Sequence, residues 1–159
     1  MANESLITDE MRARVGTASE PWVVELGRSM IRLFARAVGY SDPLYYDEEA
    51  ARARGFPDLV APPGYLGTPI FDPNLEAPWK PGFVTLPFVK TELNGGTEIE
   101  YFRPLHAGDR LEVRRRIISW TQVEGRLGPM VVVRSDNEYR DRGELVAVER
   151  LTSLLVARG

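Results

Sequence analysis

From about residue 98 to residue 156 the apolar residues of this chain recur at every second position, and no other feature limits its fold so strongly. Glu98, Ile99, Glu100, Tyr101 and Phe102 alternate, as do Leu111, Val113 and Arg115 before Ile117. Met130 to Val133 and Leu145 to Val156 continue the pattern. A period of two belongs to a strand with one buried face. Glycine-bearing turns separate the runs at Ala107-Gly108-Asp109, Glu124-Gly125 and Arg142-Gly143, so the strands follow one another as hairpins.

The first half keeps a different period. Val23, Val24 and Leu26 suggest a short extended lead-in. From about Arg28 to Val38, Ile31, Phe34, Ala35 and Val38 fall at helical spacing, with Gly39 as C-terminal cap. Asp47 can cap a second short helix running to Arg54 and closed by Gly55. A third helix is expected to open near Pro62-Pro63-Gly64, since proline suits a first helical turn. Pro69 does not fit a helix interior, and the proline-rich stretch from Phe71 to Pro87 reads as an irregular surface excursion. Helices followed by antiparallel strands give an α+β layer structure, a curved sheet with helices on one face.

Composition narrows the function classes. The 159 residues are read as a single domain, 1–159, large enough for a core without staples. A net charge of −3 argues against a nucleic-acid partner, and the basic run Arg114–Arg116 reads as a solvated strand face. There is no cysteine, which excludes disulfides and thiolate catalysis, and a single histidine disfavours the usual zinc sites. The first fifteen residues hold no continuous apolar stretch, and nothing later approaches a membrane span, so a cytoplasmic protein is expected.

Two segments carry more than a fold. The first is Gly39-Tyr40-Ser41-Asp42-Pro43-Leu44-Tyr45-Tyr46-Asp47, followed by Ala50, Gly55-Phe56 and Val60-Ala61-Pro62. It resembles the hydratase signature Gly-Asp-x-Asn-Pro-Leu-His of the MaoC-like hydratase/dehydratase family. The second runs from Gly95 through Thr97-Glu98-Ile99-Glu100-Tyr101-Phe102-Arg103-Pro104 to Gly108-Asp109. It is similar to the strand–turn–strand opening the sheet in that family's N-terminal dehydratase domains. The resemblance implies a hot-dog fold, in which a long antiparallel sheet wraps around a central helix and two domains pair side by side. It also implies substrates that are acyl thioesters of coenzyme A or acyl carrier protein, with no resident cofactor or metal. The reaction would be reversible addition of water to an enoyl double bond, driven by the signature Asp and His.

Aligned on that signature, the Asp falls on Tyr40 and the His on Tyr45. A phenol titrates at about 10 and is no base at neutral pH. Asp42 is the only carboxylate inside the motif, and before a proline it reads first as a turn former. His106 and Asp109 sit in a strand-to-strand turn and read as structural; Tyr46 and Trp22, Trp79 and Trp120 read as packing residues. The expected acyl site is therefore Tyr40 and Tyr45 standing across the interface from Pro63, Gly64 and Tyr65, where the N–H of Gly64 or Tyr65 would meet a thioester oxygen at the start of the central helix.

Such a chain resembles the non-catalytic, tunnel-shaping subunits of heteromeric enoyl hydratases and 3-hydroxyacyl dehydratases. Two alternatives stay open. One is an acyl-thioester binding module without turnover. The other is a homodimeric hydratase or thioesterase using a displaced carboxylate such as Asp42 or Asp47.

Overall fold

The computed structural model describes residues 5–67, 88–126 and 128–157. Among these, the strands are β1 (Trp22–Glu25), β2 (Val89–Tyr101), β3 (Arg110–Gly125), β4 (Gly128–Asp141) and β5 (Glu144–Ala157). All pair antiparallel in the order β1-β3-β4-β5-β2, and the sheet curls like half a barrel. The curved sheet implied by the resemblance is present. It is longer than alternation alone suggested, because β2 begins at Val89.

Alternation settles which residues face inward. Val113 and Ile117 of β3, Val131, Val133 and Tyr139 of β4, and Ala147 and Leu155 of β5 are buried on one face. They belong to two apolar clusters. The first gathers Ile31, Leu59, Tyr65, Leu66, Leu105, Leu111, Val113, Tyr139 and Val146. The second joins Ile117, Val131, Val133 and Leu155 to Met11, which is 0% exposed.

Met11 comes from α1 (Asp9–Arg14), a six-residue helix not anticipated from the sequence; the Thr8 hydroxyl caps it by accepting the Met11 N–H at 3.2 Å. The second helix, α2 (Arg28–Val38), ends as expected on Gly39, whose φ of 82° is left-handed. It buries Ile31 and Ala35. In α3 (Glu48–Ala53) the Asp47 carboxylate accepts the Glu49 and Ala50 N–H groups, as the sequence indicated. No helix among the described residues is long and apolar enough to cross a membrane.

Between the clusters lies a polar row that strand register aligns: Arg115 opposite Asn137, and Asn137 opposite Glu149. Arg115 Nε donates to Asn137 Oδ1 at 2.8 Å. Asn137 Nδ2 and the Tyr139 hydroxyl both donate to Glu149 Oε2, each at 2.8 Å. Arg114–Arg116 is therefore not one solvated face. Arg114 and Arg116 point outward, but Arg115 turns inward because the pleat alternates, and its burial holds the guanidinium below its ordinary pKa against the pull of Glu149.

The third expected helix does not open at Pro63. Pro62–Tyr65 is a turn in which the Tyr65 N–H donates to the Pro62 carbonyl at 3.1 Å and Gly64 takes φ of +84°. Proline followed by a left-handed glycine is the pattern of a type II turn, which shares its first φ with a helical turn but not the second. A short 3-10 helix, Tyr65–Gly67, follows. Pro69 and the stretch from Phe71 to Pro87, with Trp79, lie outside the described residues.

Candidate functional site

Caps and turns bring the signature residues together. Beyond α2 the left-handed Gly39 reverses the chain, and the Tyr40 N–H donates back to the Ala35 carbonyl at 2.9 Å. Asp42 then caps the 3-10 helix Pro43–Tyr45 by accepting the Leu44 N–H at 3.0 Å. That single turn delivers Tyr45 to Tyr40, with ring centroids 5.7 Å apart and planes tilted by 45°. The Tyr46 hydroxyl closes the loop by donating to the Tyr40 carbonyl, and Arg32 Nε holds the Tyr46 carbonyl at 3.0 Å. The two residues expected at the acid–base positions are thus neighbours, and both are phenols.

Tyr45 is a poor base. Burial, with Asp42 and Tyr40 nearby, pushes the Tyr45 phenol up, away from neutrality. Asp42 is occupied structurally: beyond the Leu44 N–H it accepts Arg54 Nη1 at 3.0 Å on each oxygen. Those donors hold its carboxyl below the ordinary carboxylate range, the Leu44 N–H foremost. An ion-paired cap with a depressed pKa is a weak proton acceptor. Asp47 likewise caps α3. His106 and Asp109 form a structural turn: Asp109, 6% exposed, accepts the His106 N–H at 3.0 Å and Arg103 Nη1 at 2.8 Å.

The other half of the expected site is the turn at Pro63, Gly64 and Tyr65. It is fixed from below, because the Ala61 N–H donates to Leu105 O at 2.7 Å and the Ala107 N–H to Leu59 O at 2.8 Å. Those bonds pin residues 59–61 to the β2–β3 connection. Tyr65 is buried, its ring edge-on to Phe34 at 5.7 Å and 87°, and its N–H is taken by Pro62. Pro63 and Gly64 remain exposed.

Sequence reading missed the residue that links the halves. Tyr101, at the end of β2, lies beside the Gly64 and Leu66 N–H groups. Burial raises its phenol, those N–H groups pull the other way, and Glu149 and Tyr40 add to the rise. The signal was available in the alternation, which puts Tyr101 on the same inward face as Ile99.

A curled five-stranded antiparallel sheet in this strand order is a hot-dog fold. The chain belongs to the family described as FAS1-like, dehydratase domain region, which matches residues 13–149. A UPF0336 protein of Parafrankia sp. (strain EAN1pec) is 41% identical over 143 residues, covering 85% of each chain. A probable enoyl-CoA hydratase alpha subunit of Thermomonospora curvata is 34% identical over 140 residues, 76% of this chain and 42% of the relative. Among solved structures, the ChsH1–ChsH2 complex from Mycobacterium tuberculosis contains a chain that superposes with a TM-score of 0.77 at 21% identity. That match covers 94% of this chain and 95% of the other.

Proposed function

We propose that this chain is the non-catalytic, tunnel-shaping subunit of a heteromeric enoyl-thioester hydratase or 3-hydroxyacyl-thioester dehydratase. The observation that carries the reading is the Tyr40–Tyr45 contact. Two phenols stand side by side at the signature positions, and Asp42, the carboxylate inside the motif, caps a 3-10 helix and is ion-paired. The partner would be a second hot-dog chain carrying an intact Asp and His, and the substrate an acyl thioester of coenzyme A or acyl carrier protein. Water activation then belongs to the partner, and Tyr40 and Tyr45 act as walls with hydroxyl tips.

Three further observations support a partner. β2 ends the sheet, so its outer edge has no strand beside it among the described residues, and Lys90 to Glu98 are exposed on both faces. On α2, Met30 and Leu33 are exposed apolar side chains. The similar Mycobacterium tuberculosis chain comes from a two-subunit complex, and the similar Thermomonospora curvata protein carries the name of one subunit.

The test is hydration of crotonyl-coenzyme A by the chain alone and after co-expression with a hot-dog chain bearing the intact signature. The expected result is no turnover alone and turnover in a co-purifying complex. Robust turnover by this chain alone, abolished by Asp42→Asn, would replace the reading with the displaced-carboxylate enzyme.

A further inference from the structure

The Tyr101 hydroxyl is buried and has no hydrogen-bond partner among the described residues. Burying a hydroxyl without a partner costs free energy, and folded proteins leave few such groups. The position is well built in every other respect. Tyr101 sits on a strand, paired in register with Ala147, and packs against the first apolar cluster with Ile99. Its neighbours come from three other parts of the chain: the Gly64–Leu66 turn, Tyr40 of the signature loop, and Glu149 of β5.

Glu149 does not absorb the hydroxyl. Its Oε2 already accepts Asn137 and Tyr139, and no bond to Tyr101 forms. The Gly64 and Leu66 N–H groups lie nearby but form no hydrogen bond with the phenol oxygen, so its proton is free to point elsewhere. We infer that the Tyr101 hydroxyl is the donor that holds the carbonyl oxygen of a bound acyl thioester, beside the Tyr65–Gly67 helix. This inference rests on the acyl-thioester reading above and adds the residue that fixes the acyl group in place. A carbonyl oxygen needs a donor, and a buried phenol with a raised pKa keeps its proton throughout the physiological range.

The experiment is Tyr101→Phe in the full chain, read in two ways. Without ligand, the variant should melt at the wild-type temperature or slightly above, because no internal hydrogen bond is lost. A fall of several degrees would mean that the hydroxyl has a partner inside the protein, and would overturn the inference. By calorimetric titration, crotonyl-coenzyme A should bind the variant about five- to tenfold more weakly, with free coenzyme A unaffected. If wild type binds crotonyl-coenzyme A and the variant binds it equally well, the role of Tyr101 falls while the acyl-thioester reading stands. Failure of the wild-type chain to bind crotonyl-coenzyme A both alone and in complex with a hot-dog chain bearing the intact signature sinks both.

Discussion

Arg103 Nη1 donates to Asp109 Oδ2 at 2.8 Å across the β2–β3 connection, and its Nη2 reaches Asp141 at 2.9 Å. One guanidinium therefore ties the connection to the end of β4. The Asp109 side chain is 5% exposed and the Arg103 side chain 28%. Replacing Arg103 by Met should destabilise the fold by about 2–3 kcal/mol, because a nearly buried carboxylate loses its cation. Urea denaturation at neutral pH gives the comparison. An effect below about 0.5 kcal/mol would mean that the pair behaves as a surface ion pair.

Tyr139 offers a cleaner deletion. Tyr139→Phe removes one donor from a buried carboxylate without opening a cavity, and should cost about 1.5–3 kcal/mol with an unchanged denaturant slope. It should cost more than Tyr101→Phe, whose hydroxyl makes no internal bond.

The acid limb of stability should pass through Asp58. Bidentate donation from Arg28, aided by the Leu59 N–H, holds its carboxyl below the ordinary value of 3.8. A depressed carboxyl stabilises the fold at pH above the unfolded value, and the contribution disappears as pH falls through the lower folded one. Asp58→Asn should therefore lower the melting temperature by about 2 °C at neutral pH. The gap from wild type should close below pH of about 3.8. A gap that persists at acid pH would point to packing instead of ionisation.

Restoring the signature tests the geometry directly. Because Tyr40 and Tyr45 touch, Tyr40→Asp with Tyr45→His puts a carboxylate beside an imidazole on an unchanged loop. Where an acyl thioester binds, the double variant should hydrate crotonyl-coenzyme A about 100-fold or more above background, and either single variant should stay near background. Equal rates for the double and single variants would mean that the loop does not face the acyl group.

What the sequence made legible was whatever its local chemistry decides. The ends of α2 and α3 could be read because Gly39 and Asp47 act on atoms within four residues of themselves. The contact of Tyr40 with Tyr45 follows from one cap and one turn, but it was not itself read from the sequence. Pro63-Gly64 was misread because a helix start and a type II turn agree at the proline, and only the glycine's φ separates them. Arg115 and Tyr101 were beyond local reading for a different reason. Alternation gives the face, but what waits there comes from distant chain: Asn137 and Glu149 for the arginine, the Gly64–Leu66 turn for the tyrosine. The helix α1 escaped notice because six residues show too little periodicity to register.

Alternation also leaves one ambiguity in the folding chain. A strand that slides by a single residue turns its apolar side to water, but a slide of two keeps every face as it was. On β4, with Val131, Val133, Ser135, Asn137 and Tyr139 all pointing inward, apolar burial alone barely separates the native pairing from that neighbour. The polar row makes the distinction. In the native alignment Asn137 stands between Arg115 and Glu149 and satisfies both. Two residues either way, Ser135 or Tyr139 would take its place, and no amide would bridge guanidinium and carboxylate. Glu149, 3% exposed, would then keep at most a hydroxyl donor and lose its link to the guanidinium. The row works like a key cut for one lock, making hairpins that zip two residues out of step unzip and try again.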